Sequence, residues 1–371
     1  MKKLKHLIAI FVMIGFTFLT VSKVQASTSG FTVNPIFPNN QLNKNQGYFD
    51  LVMKPGQKQT ISIELSNTTS NPITVDTSFA TATTNNNGLA VYDTKNKASD
   101  KSLKYKIEDY VSIPSQYKEV TIPANATTTI NIVATMPKAN FNGVMAGGLG
   151  FKEKTNNKPK AKSQSVSIIN EYRYVVALIM QQNQTIIAPK LSMNGVEASQ
   201  VNGRNVISSN LENSAATYLK DMNTQAVVQG ITDKNIKYSY EGKAMKMAPN
   251  SNFNFAVPVS IQGNPNGEYS KPLKAGKYQL SMTVYGGKDG NGKYAEQVNG
   301  LATRYDYKWT FQKEFTISHP KAKQLNASDP TINHKNTDSV DLLTIIGAVL
   351  ILLLVFIFLM MRRRRRDKAQ S

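Results

Sequence analysis

Cysteine is absent from all 371 residues. No disulfide can brace the chain, and neither a Cys–His dyad nor a cysteine-ligated zinc can form. Histidine is almost absent: His6, His319 and His334 are the only three. The interior therefore lacks the base that a Ser–His–Asp or Cys–His arrangement needs. Acidic residues are scarce as well, 24 against 44 lysines and arginines, for a net charge of +20. Two carboxylate pairs remain on paper, Glu108 with Asp109 and Asp289 with Glu296, and both read as solvated loop charges. "DGNGKYAEQVNG", from Asp289, resembles a calcium loop only loosely, because Lys293 and Gly300 fall at ligand positions. It reads as a hairpin turn. Met245 and Met247 have a spacing that suits Cu(I), but they suit a core face better. The expectation is a protein that is not an enzyme and carries no cofactor or metal.

Long apolar runs stand near the two ends. Lys2, Lys3 and Lys5 precede an apolar run from Leu7 to Val21, and "VQA" ends at Ala26. This order is that of an export leader, with cleavage expected after Ala26. At the other end, Leu342 to Met361 is uncharged and long enough for a membrane-spanning helix. Arg362 to Arg366 follow it. Arginines beside a span are held on the cytoplasmic side, so that run speaks for topology and not for nucleic acid. No L-P-x-T-G sortase signal precedes the span. The expectation is a single-pass protein of the cell membrane with its larger part outside. Setting aside the leader's four lysines and the tail's net +5, the exterior keeps +11. Such a surface attracts polyanions. The absence of disulfides and the many Asn, Lys and Thr residues fit a Gram-positive source, where the polyanions outside the membrane are teichoic acids and the lipid surface.

Between the ends the pattern is of strands. In "QTISIELSN", Ile61, Ile63 and Leu65 alternate with Thr60, Ser62 and Glu64, the period of a half-buried strand. Ile73, Val75 and Phe79 repeat it, as do Ile130 and Ile132 after a turn at Pro123–Asn125. "NFNGVMAGGLGF" holds Gly143, Gly147, Gly148 and Gly150. It lacks the Ser or Thr and the following helix of a phosphate loop, and reads as a last strand with bulges or close backbone approach. The polar, Lys-rich "KEKTNNKPKAKSQ" after it marks a domain boundary. "EYRYVVALIMQ" then opens a second series, with Tyr172, Tyr174, Val176, Leu178 and Met180 on one face. "RYDYKWTFQKEFTI" aligns Tyr305, Tyr307, Trp309, Phe311, Phe315 and Ile317, with Lys313 as an intruder expected at a bulge or edge. His319 to Asp341 has few apolar residues and reads as a stalk.

"FTVNPIFPNNQ", "GYFDLVMKPGQKQTISIELSN" and "FNGVMAGGLGF" resemble the first domain of the WxL-interacting surface proteins of Gram-positive bacteria. "NEYRYVVALIMQ", "NLENSAATYL", "MKMAPNSNFNFAVP" and "GKYQLSMTVYGG" resemble the second. The resemblance implies a peptidoglycan-binding first domain and a host-binding second domain, working with WxL-domain surface proteins. The single Trp, Trp309 in "WTF", leaves this chain without a W-x-L motif of its own. No site residue carries over from the family.

The expected fold class is all-β: two immunoglobulin-like β-sandwich domains plus one C-terminal transmembrane helix. The expected division is a leader at 1–26, a first sandwich at 27–155, a linker at 156–166, a second sandwich at 167–318, a stalk at 319–341, the span at 342–361 and a tail at 362–371. The expected function is a membrane-anchored surface scaffold or adhesin. Its partners would be peptidoglycan or teichoic acid, WxL-domain proteins and a host extracellular-matrix protein, with no nucleic acid. An enzyme of wall metabolism or a wall-sensing membrane protein is the alternative. Tyr92, Lys104, Tyr105 and Tyr117 are the candidate groups for stacking on and charging a sugar polymer.

Overall fold

The computed structural model describes residues 30–92, 99–154, 172–263, 268–298 and 300–333. The first half contributes β1 (Phe31–Ile36), β2 (Phe49–Val52), β3 (Lys58–Asn67), β4 (Ile73–Thr81), β5 (Thr83–Thr84), β6 (Ala90–Val91), β7 (Val111–Ser112), β8 (Glu119–Ile122), β9 (Thr127–Thr135), β10 (Val144–Glu153) and β11 (Arg173–Gln181). They form a four-stranded sheet, β1-β3-β9-β7, and a five-stranded sheet, β2-β11-β10-β4-β8. The alternation read from the sequence supplies the core between them. Ile61, Ile63, Leu65, Ile130 and Ile132 face Val75, Leu149, Phe151, Val176, Leu178 and Met180, all buried. Each such side chain contributes about 1.5–3 kcal/mol of transfer free energy, and with no disulfide this burial carries the sandwich.

The second half contributes β12 (Leu191–Val201), β13 (Arg204–Asn213), β14 (Leu219–Gly230), β15 (Lys237–Met247), β16 (Ser251–Pro258), β17 (Gly276–Lys288), β18 (Tyr294–Val298) and β19 (Leu301–Ile317). Here a three-stranded sheet, β12-β13-β16, packs on a five-stranded sheet, β15-β14-β17-β19-β18. Met245 and Met247 are buried in this core, as their spacing suggested. Lys313 sits beyond the stretch of β19 that β18 pairs, on a free edge.

Three expectations need correction. First, β11 does not open the second sandwich. It pairs antiparallel with β10 and parallel with β2, and so completes the first. The segment 156–166 thus joins two neighbouring strands of one sheet; the segment itself lies outside the described residues. The chain crosses between sandwiches after Gln181 and before Leu191. The apolar run of β11 could not reveal this, because a buried strand reads alike in either core.

Second, the stalk begins as a helix. In α1 (His319–Ser328), Ser318 caps the first turn by accepting from the Lys321 N–H at 3.3 Å, and a proline occupies the opening turn. Ala322 and Leu325 enter the second core. Asn326 exchanges two bonds of 2.9 Å with the Leu273 backbone. Asp329, fully buried, accepts from the N–H groups of Asn205 and Thr331, both at 2.9 Å. The chain is therefore fastened to the second sandwich as far as Ile332.

Third, the membrane anchor is not upheld. Among the described residues no helix is long and apolar enough to cross a membrane. The span expected at 342–361 lies outside them, as do the leader at 1–26 and the tail at 362–371. The single-pass topology and the cytoplasmic tail are dropped with it.

Candidate functional site

The two sandwiches meet on the outer face of the five-stranded sheet of the first. Small residues, Ala82, Ala146, Gly148 and Ala177, line the middle of that face, flanked by Val175 and Ile179. Gly148 lets the chain lie flat on the strand. A Cβ there would run into Tyr92 Cβ and stand 3.0 Å from Val175 Cγ1. Gly143 does the same towards the second sandwich. With φ at +94° it passes so close to Ala216 that a Cβ would meet the Ala216 carbonyl oxygen and stand 2.8 Å from its methyl. The glycine-rich stretch is therefore a strand built for close approach, and not an anion cradle.

Several contacts fasten the junction. The β5–β6 hairpin reaches across, with the Lys246 N–H donating to the Gly88 carbonyl at 2.8 Å. Thr84 Oγ1 and Ser251 Oγ lie 2.6 Å apart, and the Ala248 N–H donates to Thr84 at 3.0 Å. Asn250 donates to the Ser102 carbonyl, and Asn252 to Asp100. Val144 donates to the Ala216 carbonyl at 2.8 Å. Ala82, Ala146, Ile179, Tyr218 and Ala248 form a small apolar cluster at the centre.

Beside that cluster lies a cleft of about 510 Å³. The first sandwich lends it Tyr48, Asp50, Tyr92 and Gln181; the second lends Tyr218, Lys220 and Lys246. Local structure aims each of them. A register shift between Leu219 and Met222, with Asp221 at φ +48°, turns Lys220 outward while its neighbour Leu219 stays in the core. Lys246 stands between two buried methionines and so points away from the core. Its ammonium lies 4.6 Å from the centre of the Tyr218 ring, a cation–π contact. The Tyr92 and Tyr218 hydroxyls are 3.2 Å apart. Asp50 accepts from Gln181 Nε2 at 2.8 Å.

Burial sets the electrostatics. It raises the Tyr218 hydroxyl well above its ordinary value, with the facing Tyr92 adding to the effect. Tyr92 and Tyr48 are raised for the same first reason. Asp50 is raised by burial, against the Gln181 bond and the Lys220 charge. Lys246 is lowered, by burial and then by Lys220. All three tyrosines are neutral donors at any physiological pH.

Of the four sugar-binding candidates read from the sequence, Tyr92 alone lines the cleft. Lys104 is exposed, 5.2 Å from the Tyr105 ring centre. Tyr105 packs against Phe141 at 5.1 Å and against the first core. Tyr117 closes a short 3-10 helix and also leans on that core. Tyr48, Asp50, Gln181, Tyr218, Lys220 and Lys246 escaped sequence reasoning. They come from separate segments, and only the docking of the two sandwiches gathers them.

The carboxylates behave as structural groups. Glu108 accepts from the Thr81 N–H at 2.7 Å and pairs with Lys106 at 2.8 Å. Asp289 accepts from the Asn291 N–H in the expected turn. Glu296 differs from expectation: it is buried, and Asn223, Gln225 and Tyr305 all donate to it at 2.9–3.0 Å. Among the described residues no group of three or more metal-binding side chains gathers.

Two family descriptions match the chain: the peptidoglycan-binding domain of the WxL-interacting proteins over residues 31–153, and their host-binding domain over 163–327. The chain belongs to the WxL-interacting protein family. The second match includes β11, which the fold gives to the first sandwich. It also includes nearly all of α1, in keeping with the docked helix. No curated protein matches the chain. Among solved structures, the YadV chaperone is 11% identical over 78% of this chain and 100% of its own, with a TM-score of 0.30. The Pseudomonas aeruginosa CupB2 chaperone is 11% identical over 71% and 95%, at 0.26. The E. coli chaperone DraB is 12% identical over 64% and 90%, at 0.25. Scores this low transfer nothing to this chain.

Proposed function

We propose that this WxL-interacting protein is a non-catalytic scaffold of the bacterial surface that holds peptidoglycan in the cleft between its two sandwiches. The cleft carries the reading. It sets three tyrosine rings beside a carboxylate, an amide and two ammonium groups. Rings pack on the apolar faces of sugars, while the polar groups meet hydroxyls and amides. The family's description of the first domain as peptidoglycan-binding supports it. The described host-binding character of the second domain supports a role for its remaining surface towards a matrix protein or a WxL-domain partner. Salt separates this reading from simple attraction of a cationic surface to teichoic acid. Surface charge pairs are screened beyond about 10 Å at 0.1 M salt, whereas stacking and sugar hydrogen bonds persist.

The test is retention of the full chain on purified sacculi stripped of teichoic acid, in 0.5 M salt. Retention is expected, and the joint change Tyr92→Ala and Tyr218→Ala should cut it about tenfold or more, as the loss of two ring contacts implies. Retention that vanishes with salt, or survives both changes, contradicts the proposal.

A further inference from the structure

Lys220 and Lys246 enter the cleft from one wall as two like charges. Among the described residues, no carboxylate comes within ion-pair distance of either. Lys246 is half-buried, and its ammonium rests on the Tyr218 ring. Asp221 acts on Lys246 only from a distance, and a half-buried cation without an ion-paired carboxylate favours an incoming anionic oxygen. The adjoining hydroxyls serve the same end. Of the two protons on Tyr92 and Tyr218, one is used in the 3.2 Å contact between them. The other is free to donate outward. Asp50 lines the same cleft and is engaged with Gln181. A carboxylate has more lone pairs than that one bond uses, so Asp50 can also accept an N–H.

The cleft therefore offers both signs of charge within one small volume. A polyphosphate backbone brings anionic oxygens for the lysines but no amide N–H for Asp50 to accept. A peptide-bearing glycan carries what the cleft lacks: a carboxylate, and amide N–H groups close to it. We infer that Lys220, Lys246 and the Tyr92–Tyr218 hydroxyl pair form a carboxylate subsite for the peptide part of peptidoglycan, with Asp50 receiving a peptide N–H. This inference rests on the wall-binding reading above and sharpens it. The sandwiches must be docked for the subsite to exist, because Asp50 and Tyr92 come from one and both lysines from the other.

The experiment is calorimetric titration of the full chain with muramyl dipeptide, which bears one free carboxylate, and with its amide. The unaltered chain should bind the amide about tenfold more weakly, as expected for loss of a charge-assisted bond. Lys246→Met keeps the apolar stem against Tyr218 and removes only the charge. It should weaken the dipeptide towards the level of the amide and shrink the preference several-fold. Lys220→Met, at an exposed position, is the second variant and should shrink the same preference. Equal binding of the two compounds to the unaltered chain, or a preference that survives both lysine changes, overturns the inference. Tighter binding of a polyglycerol phosphate than of the dipeptide overturns it too. Retention on sacculi without any affinity for the dipeptide removes the subsite and leaves the wall reading standing. Loss of sacculus binding by the unaltered chain removes both.

Discussion

Each sandwich turns the outer face of its five-stranded sheet to a different use. In the first, that face is low: Ala82, Ala146, Gly148 and Ala177 leave the backbone open to approach, and Tyr92 and the second sandwich lie on it. In the second, the corresponding face is tall and already satisfied. Asn223 and Gln225 reach across to Glu296 on β18, with Tyr305 donating to the same carboxylate and Tyr285 packed 5.3 Å from the Tyr305 ring. Burial, and then the bond to Glu296, push the Tyr305 hydroxyl above its ordinary value. A face of small residues is completed by something laid on it. A face with a closed polar network needs no partner there.

That contrast can be broken at either face. The largest effect is expected at the closed one. Glu296→Ala removes the acceptor of Gln225 and of the buried Tyr305 hydroxyl, while Asn223 keeps its 2.7 Å bond to Tyr305. An unsatisfied buried group costs about 1–3 kcal/mol, and Tyr305 is buried while Gln225 is half-buried, so the second sandwich should lose about 2–3 kcal/mol in denaturant unfolding. A loss under 1 kcal/mol would mean that the network does not hold that face.

At the open face, Gly148→Val drives a branched side chain into Tyr92 and Val175. Overpacking of this kind costs about 1–3 kcal/mol. Wall binding should fall with stability, because Tyr92 is pushed off its Tyr218 contact. Unchanged melting and unchanged retention on sacculi would show that the glycine serves no close approach.

Asp329 tests the docked helix with a smaller effect. Burial alone would raise it, but bonds from Thr331 and the Asn205 N–H outweigh burial, and its pKa lies below the ordinary 3.8. A depressed carboxylate contributes its stability above the unfolded value and loses it as pH falls through the folded one. Asp329→Asn should thus cost about 1–3 kcal/mol at neutral pH, with the gap to the unaltered protein closing below 3.8. A gap that stays constant to pH 2 would refute the assignment. Lys104→Ala, exposed and away from the cleft, should change stability by no more than about 0.5 kcal/mol and leave sacculus binding intact.

Most strands were legible because alternation is a local signal: Ile61, Ile63 and Leu65 face the core as their spacing requires. The membership of β11 was not, since pairing is a long-range choice that a uniformly apolar run leaves open. The helix at His319 had a readable start, Ser318 followed by Pro320. Its buried face is only Ala322 and Leu325, too little for hydropathy to register against so many polar neighbours. The glycine stretch was legible as close approach but not in its partners, Tyr92 and Ala216. The cleft was the least legible of all, because its lysines and tyrosines are spread from Tyr48 to Lys246 and share no pattern.

Hydrogen–deuterium exchange of the full chain with and without a soluble muropeptide tests the composite cleft most directly. Binding between the sandwiches should slow exchange on both sides of the junction, around residues 47–51 and 177–181 in the first and 217–221 and 245–247 in the second. Protection confined to the first sandwich, with the second unaffected, would contradict a cleft built from both.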